Sequence, residues 1–124
     1  MFKICSKCGK QFRNRAEFLN GQEIELIGCM SDFDDPEKGV LLFNHTCMTT
    51  LSVSVDAFLD LYSGPRYEEP KTLKEYCPEY CFDVRNTGPC QQACRYQFVR
   101  ILMQILKAEL SNSASQLEPD QSCA

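Results

Sequence analysis

Residues 4–9 read Ile-Cys-Ser-Lys-Cys-Gly, and that stretch decides what the first half of the chain can be. Two thiols in Cys5-Ser6-Lys7-Cys8 can grip one ion from a tight turn whose backbone N–H groups hydrogen-bond the sulfurs. Gly9 relieves the steric cost of the left-handed conformation such turns adopt. A redox pair of the same spacing needs a strand before it, a helix opening at it and an α/β fold around it. Here the motif lies at the start of the chain and runs into β-rich sequence, which points to metal. A metal clip needs a second pair of soft donors. His45-Thr46-Cys47 lies between two predicted strands and contains the single His of the chain. Strand alternation turns residues 45 and 47 to one side. Cys5, Cys8, His45 and Cys47 then form a Cys3His set, in which Cys29 is an alternative to His45 or Cys47. One His among thiolates favours zinc over iron. Four full ligands leave no position for a water nucleophile, so the site reads as structural.

Around the knuckle the apolar pattern is that of a small antiparallel meander. Glu23-Ile24-Glu25-Leu26 alternates, with Ile24 and Leu26 inward, and the acidic stretch 31–38 turns it into a second strand over residues 40–43. Residues 50–55 alternate again, placing Leu51, Val53 and Val55 on one face. Asn14 is positioned to cap a short helix through residues 17–19, and Asp56 to cap another over residues 57–62. With CSKCG and HTC as its two ends, this half resembles a zinc ribbon or rubredoxin-like knuckle pair over residues 1–62. That family carries C-x-x-C in both knuckles, so the H-x-C half departs from its pattern. The resemblance implies a metal-stapled β module.

Residues 63–70 (SGPRYEEP) interrupt the pattern with a Gly and two prolines and read as a linker. Residues 71–110 read as a cysteine-bearing helical hairpin packed on the β module. A first arm is capped by Thr72, the stretch 86–89 (NTGP) turns the chain, and a long helix runs from about Cys90 to Leu110. Cys77/Cys81 and Cys90/Cys94 are then two i,i+4 pairs, each facing one way. They suit a second zinc, or an iron–sulfur cluster, which also takes four cysteines. They also suit two disulfides, a pattern resembling the twin C-x3-C proteins of the mitochondrial intermembrane space. Buried thiols packing as small hydrophobes are the remaining reading. Residues 111–124 are small, polar and acidic and read as a disordered tail. The expected architecture is α+β: a small antiparallel β module, then the cysteine-bearing hairpin with its long C-terminal helix.

Nine cysteines in 124 residues, with 13 basic and 17 acidic side chains and a formal charge of −4, bound the function. The acidic balance speaks against a nucleic-acid binder, which needs a basic face for phosphates. The longest apolar block, residues 98–110, carries Arg100, Gln104, Lys107 and Glu109 and is too short and polar to span a bilayer. With no signal-like leader, the expected compartment is the cytoplasm, where clustered thiols hold metal more often than they form disulfides. No Ser/His/Asp set, phosphate loop or pair of catalytic carboxylates marks an enzyme. The long helix has more apolar positions than one face needs, which suggests a protein partner or a homodimer. The function expected is a small cytosolic metal-binding module for interaction or regulation. The alternative is a redox or sensor protein that uses the C-x3-C pairs.

Overall fold

The computed structural model describes residues 1–20, 22–69, 77–90 and 92–111 with their side chains, and residues 112–123 by their backbone. The chain opens as a two-stranded ribbon, β1 (Lys3–Ile4) with β2 (Gln11–Phe12), in which Lys3 pairs with Phe12 and Ile4 with Gln11. A short helix, α1 (Arg15–Asn20), follows. Its start is fixed by side chains, as the sequence suggests: the Glu17 N–H donates to Asn14 Oδ1 at 2.9 Å, and the Arg13 N–H donates to Glu17 Oε2 at 2.9 Å.

The three alternating segments form an antiparallel sheet of β3 (Ile24–Met30), β4 (Val40–His45) and β5 (Thr50–Ser54), with β4 in the centre. The register pairs Ile24 with His45, Leu26 with Phe43, and Phe43 with Leu51. A bulge between Leu26 and Gly28 shifts the end of β3, so that Gly28 and Cys29 are both covered. The next segment, Val55–Leu61, is a 3-10 helix rather than the Asp56-capped helix the sequence suggests. The Val55 N–H donates to Gly39 O at 2.8 Å, and the segment begins there, behind Ser54.

The C-terminal helix, α2 (Gln97–Cys123), closes the fold. It buries Phe98, Val99, Leu102, Met103 and Leu106 in the same cluster as Phe18, Leu41, Phe43, Leu51 and Phe58, so both halves of the chain share one core. Phe18 lies at the centre of an aromatic group, with its ring 5.3, 5.1 and 5.0 Å from those of Phe2, Phe12 and Phe43. The α+β architecture, the antiparallel strands and the long C-terminal helix agree with the sequence reading.

The helix starts later than the sequence suggests. It begins at Gln97, so Cys90 and Cys94 lie ahead of it on non-helical backbone and are not turned to one side by a helix. Local bonds explain the delay: the Arg95 N–H donates to Glu69 O, and the Gln97 side chain is spent on Cys90 O. Around the other pair, residues 77–79 are irregular and Tyr80–Phe82 is one 3-10 turn. The expected cap Thr72 lies outside the described residues. The backbone of residues 111–123, read as a tail, continues α2, since adding a residue to an existing helix costs far less than starting one.

Between the two cysteine pairs the chain crosses β3. The Cys29 N–H donates to Val84 O at 2.8 Å, and Ser31 Oγ donates to Cys81 O at 3.1 Å. A Cβ on Gly28 would lie 2.6 Å from Val84 O, a backbone atom with no flexible end to yield. Gly28→Ala should therefore push residues 82–85 off the strand and cost roughly 1–3 kcal/mol. Denaturant unfolding measures the cost, and amide exchange at Cys29 should rise with it.

Candidate metal centre

The first donor pair comes from the ribbon. The Cys5 N–H donates to Lys10 O and the Gly9 N–H to Cys5 O, both at 2.9 Å, which folds residues 5–10 into a knuckle between β1 and β2. Gly9 takes φ +77°, where a side chain would be strained. The second pair comes from the β4–β5 turn, closed by His45 N–H to Thr49 O and Met48 N–H to His45 O, both at 2.8 Å. Met48 is left-handed at φ +75°, which costs a residue with a Cβ about 1–2 kcal/mol. That strain sits at the bend that turns the Cys47 sulfur back toward His45.

The two loops meet. One donor atom from each of Cys5, Cys8, His45 and Cys47 lies within 4.8 Å of the others. Cys5 Sγ is 3.5 Å from Cys47 Sγ, Cys8 Sγ is 3.7 Å from His45 Nδ1, and His45 Nδ1 is 3.1 Å from Cys47 Sγ. Thiolates held about 2.3 Å from one tetrahedral zinc lie about 3.8 Å apart, and a nitrogen donor comes slightly closer to its neighbours. The observed separations approach these values, and the Cys3His donor set can hold a metal ion. His45 is only 2% exposed and packs edge-on to Phe12 at 5.7 Å.

One partner was not visible in the sequence. His45 Nε2–H donates to Glu23 Oε1 at 3.2 Å, and the other carboxylate oxygen of Glu23 lies 3.6 Å from Lys10 Nζ. This fixes the tautomer that turns Nδ1 to the sulfurs, the carboxylate–histidine support common at zinc sites. The signal was the register: Ile24 opposite His45 puts Glu23 beside the turn, where Thr46 N–H donates to Glu23 O. Cys29, the alternative ligand, lies at the other end of β3 and is buried in the core.

The donors differ in acidity. Backbone N–H groups, foremost that of Cys8, hold Cys5 down to about 6 against its burial. Hydrogen bonds from Thr49 and then His45 lower Cys47. The Lys10 N–H pulls Cys8 down, but burial and the sulfurs of Cys5 and Cys47 outweigh it and raise the thiol. For His45 burial opposes the charged ring, while hydrogen bonds to Cys47 and Glu23 raise its pKa overall.

Cys77, Cys81, Cys90 and Cys94 line one cleft with Tyr80, Tyr96 and Arg100. Among the described residues, only the Cys5, Cys8, His45 and Cys47 donors are drawn together within 4.8 Å. Burial pushes the Cys81 thiol up to about 11, with Arg100 working against it.

Two outcomes follow for the first centre. Binding needs thiolates and a neutral imidazole, so below about pH 9 at least the Cys8 proton must leave and affinity should rise at least about tenfold per pH unit. The dependence should steepen at lower pH as Cys47, His45, held above 6.5, and then Cys5, near 6, take up protons. Chelator competition across pH measures both slopes. Glu23→Gln should weaken metal binding by about 10- to 100-fold while the chain stays folded. No family model, no curated protein and no solved structure matches the chain.

Proposed function

We propose that the chain is a small zinc-stapled module, in the manner of a zinc ribbon, that works by interaction or regulation rather than catalysis. The observation that carries the reading is the convergence of three sulfurs and one imidazole from two separate loops. An all-protein Cys3His set fills a tetrahedral ion completely and leaves no position for substrate. Zinc is favoured by the imidazole among thiolates. Its contribution is mechanical: one ion ties the knuckle at residues 5–10 to the turn at residues 46–49. A reducing compartment such as the cytoplasm suits such thiol donors.

The surface offered to a partner protein is assigned to α2. Phe98, Val99, Leu102, Met103 and Leu106 are buried, but Ile101 and Ile105 are half-buried beside Tyr62 and Tyr67. No described helix is long and apolar enough to cross a membrane.

Elemental analysis of the full chain, with thermal unfolding before and after chelation, tests the reading. Zinc should be present and should fall by one equivalent in Cys8→Ser. Chelation should lower the unfolding midpoint by roughly 10–25 °C, the effect of a ligand bound about a thousandfold above its Kd on a chain of this size. A chain that carries no zinc and melts at the same temperature with chelator would refute it.

A further inference from the structure

The four donors of the metal centre are unequally shielded. Cys5 and His45 are 1% and 2% exposed, Cys47 is half-buried, and Cys8 is exposed. The fold sets this order. Cys5 belongs to the hydrophobic core cluster and His45 packs against Phe12, whereas Cys8 sits on the knuckle, where residues 6–10 are all exposed. A Cβ built on neighbouring Gly9 would meet nothing within 4 Å, so that side of Cys8 is open. Thiolate character and exposure decide which sulfur is oxidised first, and a metal ligand is held as a thiolate. A small oxidant therefore reaches Cys8 before the other two sulfurs.

A second sulfur is at hand to resolve the oxidised one. The donor atoms of Cys5, Cys8 and Cys47 lie within 4.8 Å of one another, and a disulfide closes that gap to about 2.05 Å. Cys5 is pinned on both sides, its N–H donating to Lys10 O and its C=O accepting from the Gly9 N–H. Cys47 lies in the β4–β5 turn, next to the left-handed bend at Met48, whose side chain is 80% exposed. Of the two sulfurs beside Cys8, that of Cys47 is the one on a loop that can yield.

We propose that Cys8 and Cys47 are a redox pair: a hydroperoxide converts them from two zinc ligands into a disulfide, which releases the ion and keeps the knuckle tied to the β4–β5 turn. The proposal rests on the zinc reading above and adds its regulation. The Cys8 thiolate attacks the O–O bond of the peroxide; an S–O bond forms, the O–O bond breaks and hydroxide leaves. Cys8 is oxidised by two electrons to a sulfenic acid, and the peroxide is reduced. The Cys47 thiolate then attacks the Cys8 sulfur, the S–S bond forms, and a second hydroxide is expelled. Two protons from solvent turn both hydroxides into water. Cys5 and His45 remain as donors, two where a tetrahedral ion needs four. A dithiol that takes over the disulfide bond, becoming a disulfide itself, restores both thiolates and with them the donor set.

The test starts from the full chain loaded with zinc and freed of excess metal, so that the zinc reading is checked first. Hydrogen peroxide is added with a chromophoric zinc indicator, and the cysteines are mapped by alkylation and peptide mass spectrometry. One zinc ion per chain should appear in step with one disulfide between Cys8 and Cys47, and dithiothreitol with zinc should reverse both. The oxidised, metal-free chain should melt roughly 10–20 °C above the reduced, metal-free chain, as expected of a bond closing a loop of about 40 residues. Cys8→His leaves a Cys2His2 donor set and should release zinc at least about tenfold more slowly under the same peroxide. A chain that takes up no zinc overturns the zinc reading and the proposal together. A chain that holds zinc and keeps it while peroxide oxidises other cysteines, or loses it to a Cys5–Cys8 bond or to overoxidised Cys8, overturns the proposal alone.

Discussion

A ladder of two residue pairs, β1 with β2, is too short to persist alone in water, and the N-terminal half is built around that constraint. The ribbon holds only because both of its ends are fixed. At one end Phe2 and Phe12 pack on Phe18, which belongs to the core beneath the sheet. At the other, the knuckle sulfurs meet the donors of the β4–β5 turn. The register of β3 against β4 then does two jobs, placing His45 at the ribbon and Glu23 behind its ring. Strand pairing, aromatic packing and donor geometry are thus one arrangement, and a shift of one residue in β4 would undo all three.

The C-terminal helix resolves what looked like a conflict in its composition. Its apolar residues exceed one stripe, and its charged residues interrupt them. In the fold, Phe98, Val99, Leu102, Met103 and Leu106 enter the core, while Arg100, Gln104 and Lys107 form a second, polar row that grips the carbonyls of residues 86–88. A loop with little regular structure of its own needs partners for its carbonyl groups. The helix supplies them. Arg66 adds a third layer, stacking 3.7 Å over Phe98 while pairing with Glu37.

Much of the first half was legible in the sequence because its rules are local. Alternation marked β3 and β5 and their inward faces, Asn14 declared the start of α1, and C-x-x-C-G with H-x-C named the four donors that the fold brings together. What escaped depended on contacts across the chain. Glu23 read as a solvent-facing strand residue, and only the pairing of Ile24 with His45 reveals it as the partner of the imidazole. The segment before Gln97 carries residues that suit a helix, but its polar groups are claimed by Glu69 O, Phe33 O and Cys90 O, and those partners lie outside the pattern. Arg100 looked like a break in an apolar run, and its role depends on a loop that folds back over it.

The close seat of Val84 against Gly28 also bears on how the protein stays dispersed. β3 is an outer strand of its sheet, and its Ile27 and Met30 side chains face outward, 37% and 54% exposed. A long apolar outer strand is a template on which a second molecule can add its own strand. The 82–85 segment takes the Cys29 N–H that such a strand would use, and it can do so only because residue 28 has no side chain. The cysteine-bearing segment is therefore a guard on the sheet. A substitution that unseats it would show itself first as aggregation through the edge of β3.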